Sequence, residues 1–144
     1  MKLESILAAK GTQTFSVDPA TTVRDGLAVL ASNNIGALIV LDGEGMPIGI
    51  LSERDVIRSL ARGTNVMDAT VGEMMTSPIV TGTPADDVES VLYTMTTRRF
   101  SHLPIVDKNG LVGMVTLGDL VKAQLNDSRG TIATLETQLL SEER

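Results

Sequence analysis

The chain has no cysteine, a single histidine (His102) and only 2% aromatic residues. The first absence excludes a disulfide framework, a thiol nucleophile and a thiolate metal site. One histidine excludes the histidine-pair zinc motifs. With so few aromatics, any base in a pocket must be held mainly by aliphatic side chains and backbone groups. Long apolar runs are missing too: none is longer than Ala37 to Leu41, which is far too short to cross a bilayer. The opening MKLESILAAK lacks a secretory apolar region and is interrupted by Glu4, so a cytoplasmic protein with no membrane partner is expected. A net charge of −6 argues against sequence-independent nucleic-acid binding, although a local basic spot can still hold one phosphate. What is there is a 144-residue chain, 42% apolar and 21% charged, which reads as soluble and globular with a real core.

The chain is a duplication. A shift of 65 pairs Pro19 with Pro84, Val23 with Val88, Leu27 with Leu92, Leu38 with Leu103 and Asp42 with Asp107. Past the turn a shift of 64 pairs Gly49 with Gly113, Ser52 with Thr116 and Asp55 with Asp119. The missing residue falls in the loops, DGEGMP against DKNG, where length changes are tolerated.

Each repeat predicts the order β-α-β-β-α. Phe15 to Val17 and Ile79 to Thr81 read as short strands ended by a proline-containing turn. Val23, Leu27, Leu30 and Ala31 recur at helical spacing, matched by Val88, Leu92 and Met95. Thr21 or Thr22 can cap the first of these helices, and Asp86 or Asp87 the other. The strands ALIVL and LPIV follow, then a glycine-rich turn, the strands IGIL and LVGMV, and a second helix. That helix carries Val56, Ile57 and Leu60 in one repeat and Leu120, Val121 and Leu125 in the other. Such small sheets cannot stand alone. The expected fold is therefore α/β, with the two repeats packed face to face about a pseudo-two-fold axis.

The boundaries follow: a lead-in over 1–14 with a short helix marked by Leu3, Ile6 and Leu7, repeat 1 over 15–66, a linker over 67–78, repeat 2 over 79–126 and a C-terminal helix over 127–144. The linker methionines in VGEMMTSP read as packing residues, because methionine fills irregular gaps and is a weak ligand. Ile132, Leu135 and Leu139 form an apolar stripe on the last helix, which must be covered by the body of this chain or by a partner.

The most telling pair of segments is GILSERD (Gly49 to Asp55) and GMVTLGD (Gly113 to Asp119). Each places a hydroxyl at the end of a strand and an aspartate three residues later, the pattern of a capped helix N-terminus. Capping alone accounts for one such junction, but it does not account for the repetition.

With GALIVLDGEGMPIGILSERD, VGEMMTSPIVTGTPADDVESVLYTMTTRRFSHLPIVD and GLVGMVTLGDLVK, the sequence resembles a stand-alone pair of CBS domains (the cystathionine-β-synthase motif), the tandem unit called a Bateman module. The resemblance covers about Phe15 to Leu125. It implies a disc-like pair of repeats with two clefts that bind adenosine nucleotides such as AMP, ADP, ATP or NAD(H), and a regulatory role with no chemistry of its own. The residues suit that role: a carboxylate can accept two hydrogen bonds from ribose hydroxyls, and a hydroxyl with helix-end N–H groups can donate to phosphate.

The resemblance also implies how the clefts are paired. One joins Ser52, Arg54 and Asp55 to Ile79, Val80, Thr81, Phe100, Ser101 and His102. The other joins Thr116, Gly118 and Asp119 to Phe15, Val17, Ile35, Gly36 and Ala37. Two departures stand out. Ile39 takes the place of Pro104, and Leu117-Gly118 stands where repeat 1 has Glu53-Arg54, which lowers the phosphate affinity expected of the second cleft. Several basic residues have two readings. His102 is structural or touches phosphate; Arg54 touches phosphate or pairs with Glu53; Arg98 and Arg99 are a solvated helix end or meet phosphate or a partner; Lys122 is a surface lysine or helps the second cleft.

Three functions are consistent with these features. The favoured one is a regulatory module that senses adenine nucleotides and acts on an unidentified protein partner. An enzyme is less favoured, because the sequence offers no P-loop, no nucleophile with a paired base and no metal cluster. The third is a dimerisation module without ligand. A homodimer is expected from the resemblance and from the apolar residues Ile132, Leu135, Leu139 and Leu140. The clefts are expected to differ, the first favouring multiply charged phosphates and the second AMP or the adenosine half of NAD(H).

Overall fold

The computed structural model describes residues 1–127. The expected C-terminal helix and its stripe of Ile132, Leu135, Leu139 and Leu140 lie outside the described residues. Repeat 1 follows a lead helix α1 (Leu3–Lys10) and contains β1 (Ser16–Val17), α2 (Val23–Asn33), β2 (Ala37–Leu41), β3 (Pro47–Ser52) and α3 (Glu53–Ala61). The linker forms α4 (Val71–Met74), and repeat 2 contains α5 (Val88–Arg98), β4 (His102–Asp107), β5 (Gly110–Thr116) and a helix α6 over 117–127.

Local chemistry starts and stops these elements. Thr22 Oγ1 accepts from the Asp25 N–H at 3.1 Å to open α2, and an Asp87 carboxylate oxygen accepts from the Ser90 N–H at 3.0 Å to open α5. Both helices end on a left-handed residue, Asn34 (φ 52°) and Arg99 (φ 58°). In one sheet β1 runs parallel to β2 and β2 antiparallel to β3, with Leu38 opposite Leu51; in the other β4 and β5 are antiparallel, with Leu103 opposite Val115. Even the irregularities repeat: the register slips at Val40/Leu41 and again at Ile105/Val106.

The strand expected over Ile79 to Thr81 does not form. Its place is taken by a single parallel bridge from Gly82 to Ile105. The physical reason is Pro104. In repeat 1 the Ile39 N–H donates to the Phe15 carbonyl at 3.1 Å, and proline at the matching position has no N–H to give. The ladder therefore shrinks to bonds made by Gly82 itself, from its N–H to the Pro104 carbonyl and from the Val106 N–H to its carbonyl, both at 2.9 Å.

The lead helix has a role the repeat alignment does not show. Val71 and Gly72 of α4 donate to the carbonyls of Thr21 and Pro19, at 2.7 and 2.9 Å. Leu3 and Glu4 of α1 donate to the carbonyls of Asp86 and Pro84, both at 2.9 Å, the matching positions in repeat 2. Helix α1 is thus the counterpart of α4, and each lead helix packs on the repeat it does not directly precede. Leu3, Ile6 and Leu7 join the core of Val88, Met95, Leu103, Ile105, Val115 and Leu120. Val71 joins the core of Val23, Leu30, Leu38, Val40, Leu51 and Val56, with Met74 and Met75 packed against it. Fully burying one such Leu or Ile side chain contributes about 1.5–3 kcal/mol, so the crossing helices hold the two repeats together. On the second helix of each repeat only part of the apolar pattern turns inward. Val56 and Leu120 are buried, whereas Ile57, Leu60, Val121 and Leu125 are 63%, 45%, 42% and 60% exposed.

Candidate functional site

The first junction sits where β3 runs into α3. Ser52 Oγ accepts from the Asp55 N–H at 3.2 Å, so the hydroxyl is the N-cap. The capping box is left half-made, because the Asp55 carboxylate turns outward and its Oδ2 accepts from Thr76 Oγ1 at 3.3 Å. Thr76 is held there by backbone bonds with Ile50, of 3.1 and 2.9 Å.

A cavity of about 320 Å³ opens at this junction. Ser52, Arg54 and Asp55 form one wall, and Ile79, Val80, Phe100, Ser101 and His102 of repeat 2 form the other. Thr81 is not on this wall; it lines neighbouring cavities with Gly82 and Pro78 respectively. Two further cations reach the same mouth, Arg58 and Arg99. Arg58 was missed in the sequence, although it lies four residues after Arg54 and so on the same helix face. Arg99, one of the helix-end arginines with two readings, is the left-handed residue that ends α5 and lines this cavity. Among the described residues the ion pairs are Lys10–Asp119 and Arg24–Asp68, so none of Arg54, Arg58 and Arg99 is within salt-bridge distance of a described carboxylate. The Arg54–Glu53 pair is not formed. Glu53 leans over Gly36 instead, its Oε1 3.5 Å from where a Cβ would stand.

His102 is half-buried at the start of β4, opposite Thr116, with Nδ1 3.3 Å from Ser101 Oγ. Burial pulls its pKa below the ordinary histidine value, the nearby Lys10 charge pulls further, and Asp119 opposes both.

The second junction is built differently. Thr116 Oγ1 accepts from the Asp119 N–H at 3.0 Å, and the Thr116 N–H donates back to Asp119 Oδ2 at 2.9 Å, closing the capping box. The same Oδ2 accepts from Lys10 Nζ at 2.6 Å, and Lys10 also donates to the Met114 carbonyl at 3.0 Å. Burial pushes the Asp119 carboxyl up, but the bonds from Lys10 and from the Thr116 N–H outweigh it and hold the group below the ordinary carboxylate value.

The residues expected to complete this cleft do not line the cavity that Asp119 lines. Phe15, Val17 and Ile35 pack on the repeat 1 core, Ala37 is buried opposite Ser52, and the Gly36 carbonyl accepts from the Glu53 N–H at 3.0 Å. Gly118 stays beside Thr116. The cavity that Asp119 lines, about 320 Å³, is walled by α1 through Ser5, Ile6 and Lys10 and by α6 through Lys122 and Ala123. A larger cavity of about 430 Å³ runs along α5, but its charged groups, Asp86 and Asp87, are acidic and repel phosphate.

A β-α-β-β-α repeat and a second that keeps the same order with its first strand reduced to one bridge, with a cleft between them, define a tandem α/β module of the kind the sequence resembles. The CBS domain family model matches residues 11–62 and again 71–126, and the chain belongs to that family. It is 34% identical over 134 residues to the CBS domain-containing protein YhcV of Bacillus subtilis, covering 92% of this chain and 94% of that one. The crystal structure of a CBS-domain containing protein from Agrobacterium tumefaciens superposes with a TM-score of 0.80 at 29% identity, covering 86% of this chain and 99% of that one. The structure of CBSX2 in complex with AMP superposes with a TM-score of 0.71 at 25% identity, covering 88% and 98%.

Proposed function

We propose that the chain is a regulatory module that takes an adenine nucleotide into the cleft between the Ser52–Asp55 junction and the segment from Arg99 to His102. The observation that carries this reading is the convergence, in one cavity, of an outward-turned carboxylate, a helix N-terminus and three arginines without a described carboxylate partner. Asp55 can take both ribose hydroxyls once Thr76 yields its long bond. Ser52, the helix-end N–H groups and Arg54, Arg58 and Arg99 can then hold a phosphate chain, while Ile79, Val80 and Phe100 cover the base. The AMP complex of the related CBSX2 supports the ligand class. The arginines favour ATP or ADP over AMP or NAD(H). Titration calorimetry with ATP and AMP tests the reading: binding is expected to weaken in Asp55→Ala, and a parent protein that binds neither nucleotide overturns it in favour of a ligand-free structural module. A turnover assay with the same nucleotides separates it from an enzyme.

A second reading concerns assembly. Ile57 and Leu60 on α3, with Val121 and Leu125 on α6, leave apolar side chains on the surface of both repeats. We infer that these faces pair two copies of the chain into a homodimer, through which occupancy of the cleft is passed to a partner protein.

A further inference from the structure

The two junctions match in sequence, yet their aspartates are in different chemical states. Asp55 accepts one neutral hydroxyl at 3.3 Å, whereas Asp119 Oδ2 holds an ammonium at 2.6 Å and a backbone N–H at 2.9 Å. The ammonium comes from the lead helix. Leu3 and Leu7 of α1 occupy the positions that Val71 and Met75 occupy on repeat 1, as their backbone bonds and their packing on Gly113 and Gly49 show. Counting on from either pair, Lys10 stands where the linker has Pro78. Pro78 lines the open first cleft and has no charge to offer Asp55, but Lys10 reaches across to Asp119 and is fixed in place by the Met114 carbonyl.

We propose that Lys10 is an internal occupant of the second cleft: its ammonium holds the Asp119 carboxylate against a nucleotide ribose, so the chain binds one nucleotide, at Asp55. This rests on the proposed function and adds the residue that sets the number of ligands. A ribose diol needs both oxygens of the carboxylate. At Asp119 it must first separate a charge-assisted bond, of the class that is shorter and roughly twice as strong as a neutral one. The pair is only 33% and 26% exposed, so salt screens it incompletely. The depressed Asp119 pKa is what a carboxylate held by its own cation shows. Glu53 adds a negative charge over Gly36, where the sequence pairing would put the incoming ligand, while Lys122 is the remaining cationic side chain of the Asp119 cavity and is not within salt-bridge distance of the carboxylate.

The test is the number of AMP molecules bound per chain, read by titration calorimetry on the parent, Lys10→Met and Lys10→Arg. Methionine keeps a long apolar stem against α1 and α6 but carries no charge. The parent is expected to bind one AMP, Lys10→Met two, and Lys10→Arg one. The added site in Lys10→Met must disappear in the Lys10→Met/Asp119→Ala double variant. Circular dichroism and ligand-free melting establish that each variant is folded; should Lys10→Met melt early, Lys10→Gln is read in its place. A folded, uncharged variant that gains no site overturns the proposal, and so does a parent that already fills two. The nucleotide reading fails separately: if the parent binds neither AMP nor ATP but Lys10→Met gains an AMP site that depends on Asp119, the lock stands and the first-cleft assignment falls. If neither protein binds AMP, the lock is overturned, and the first-cleft assignment falls with it when the parent binds no ATP either.

Discussion

Met75 lies over Gly49 as Leu7 lies over Gly113, so the glycine that opens each junction is the floor for a side chain from the crossing lead helix. A Cβ at Gly49 would overlap the Met75 sulfur and crowd its Cβ, 3.1 Å away; one at Gly113 would meet mainly the end of Leu7, with Cδ2 at 2.9 Å. A side-chain end can turn aside, while a Cβ moves only with its backbone.

Gly49→Ala is therefore expected to cost about 1–3 kcal/mol, the range for overpacking a filled core. Gly113→Ala is expected to cost less, because the Leu7 side-chain end can turn aside; the roughly 0.5–1 kcal/mol of backbone entropy recovered by a Cβ in a strand offsets both variants alike. Urea unfolding of the two variants checks the order; equal losses would mean that the lead helices do not set the difference.

Asp55→Ala separates binding from capping. Ser52 accepts from the backbone N–H of residue 55, which alanine keeps, so the N-cap survives. Stability without ligand is expected to fall by no more than about 1 kcal/mol, from loss of a carboxylate at the helix N-terminus. Nucleotide binding is expected to weaken by about 1.5–3 kcal/mol, from loss of a charge-assisted contact. Calorimetry alongside ligand-free melting reads both; unchanged binding would reduce this junction to a cap.

Much of this was legible in the sequence, and the parts that were not share a cause. The repeat, the caps at Thr22 and Asp87 and the two junctions depend on residue types at fixed local spacing, while the placing of the Ser52–Asp55 wall opposite Phe100 to His102 came from the family resemblance. The strand over Ile79 to Thr81 was over-read, because its β-branched run is local while the missing donor, at Pro104, belongs to another strand. The equivalence of α1 and α4 is written in backbone bonds, and KLESILAA bears little likeness to TVGEMMTS. Lys10 carries no motif at all. Only the crossing of α1 onto repeat 2 brings it to Asp119.

Assembly is testable on the exposed face of α3. Ile57→Glu/Leu60→Glu puts two carboxylates on an apolar surface without touching buried Val56. The parent is expected to show a dimer mass by light scattering at micromolar concentration and the variant a monomer mass with an unchanged circular dichroism spectrum. A monomeric parent sinks the pairing.

The Asp119 ion pair makes a signed prediction about acid. The folded carboxyl lies below its ordinary value of 3.8, so the unfolded chain binds the proton more readily. Its contribution is present above that value and is lost as pH falls through the lower, folded one. In Lys10→Met the largest opposing cation is gone. The stability gap between parent and variant is expected near neutral pH and should close as pH falls past 3.8 and through the lower, folded value. Denaturant melts across that range read it, and a gap that persists at low pH would assign the effect to packing of the lysine stem.

His102 supplies the most direct report on the first cleft, because a single histidine gives a single imidazole to follow by NMR. In the free protein burial, reinforced by Lys10, holds its pKa below 6.5, so the ring is expected to titrate on the acid side of an unstructured histidine. That sign also means the unfolded chain takes up the proton first, and stability contributed by the neutral ring is lost as pH falls below about 6.5. A phosphate beside the ring reverses the balance by favouring the imidazolium. ATP is expected to raise the His102 pKa, whereas adenosine, which carries no phosphate, leaves it in place. By linkage ATP then binds more tightly as pH falls through the interval between the free and bound values, and adenosine does not. If ATP binds without moving the His102 titration, the phosphates leave the cleft on the side of Arg54 and Arg58, and His102 is a wall residue only.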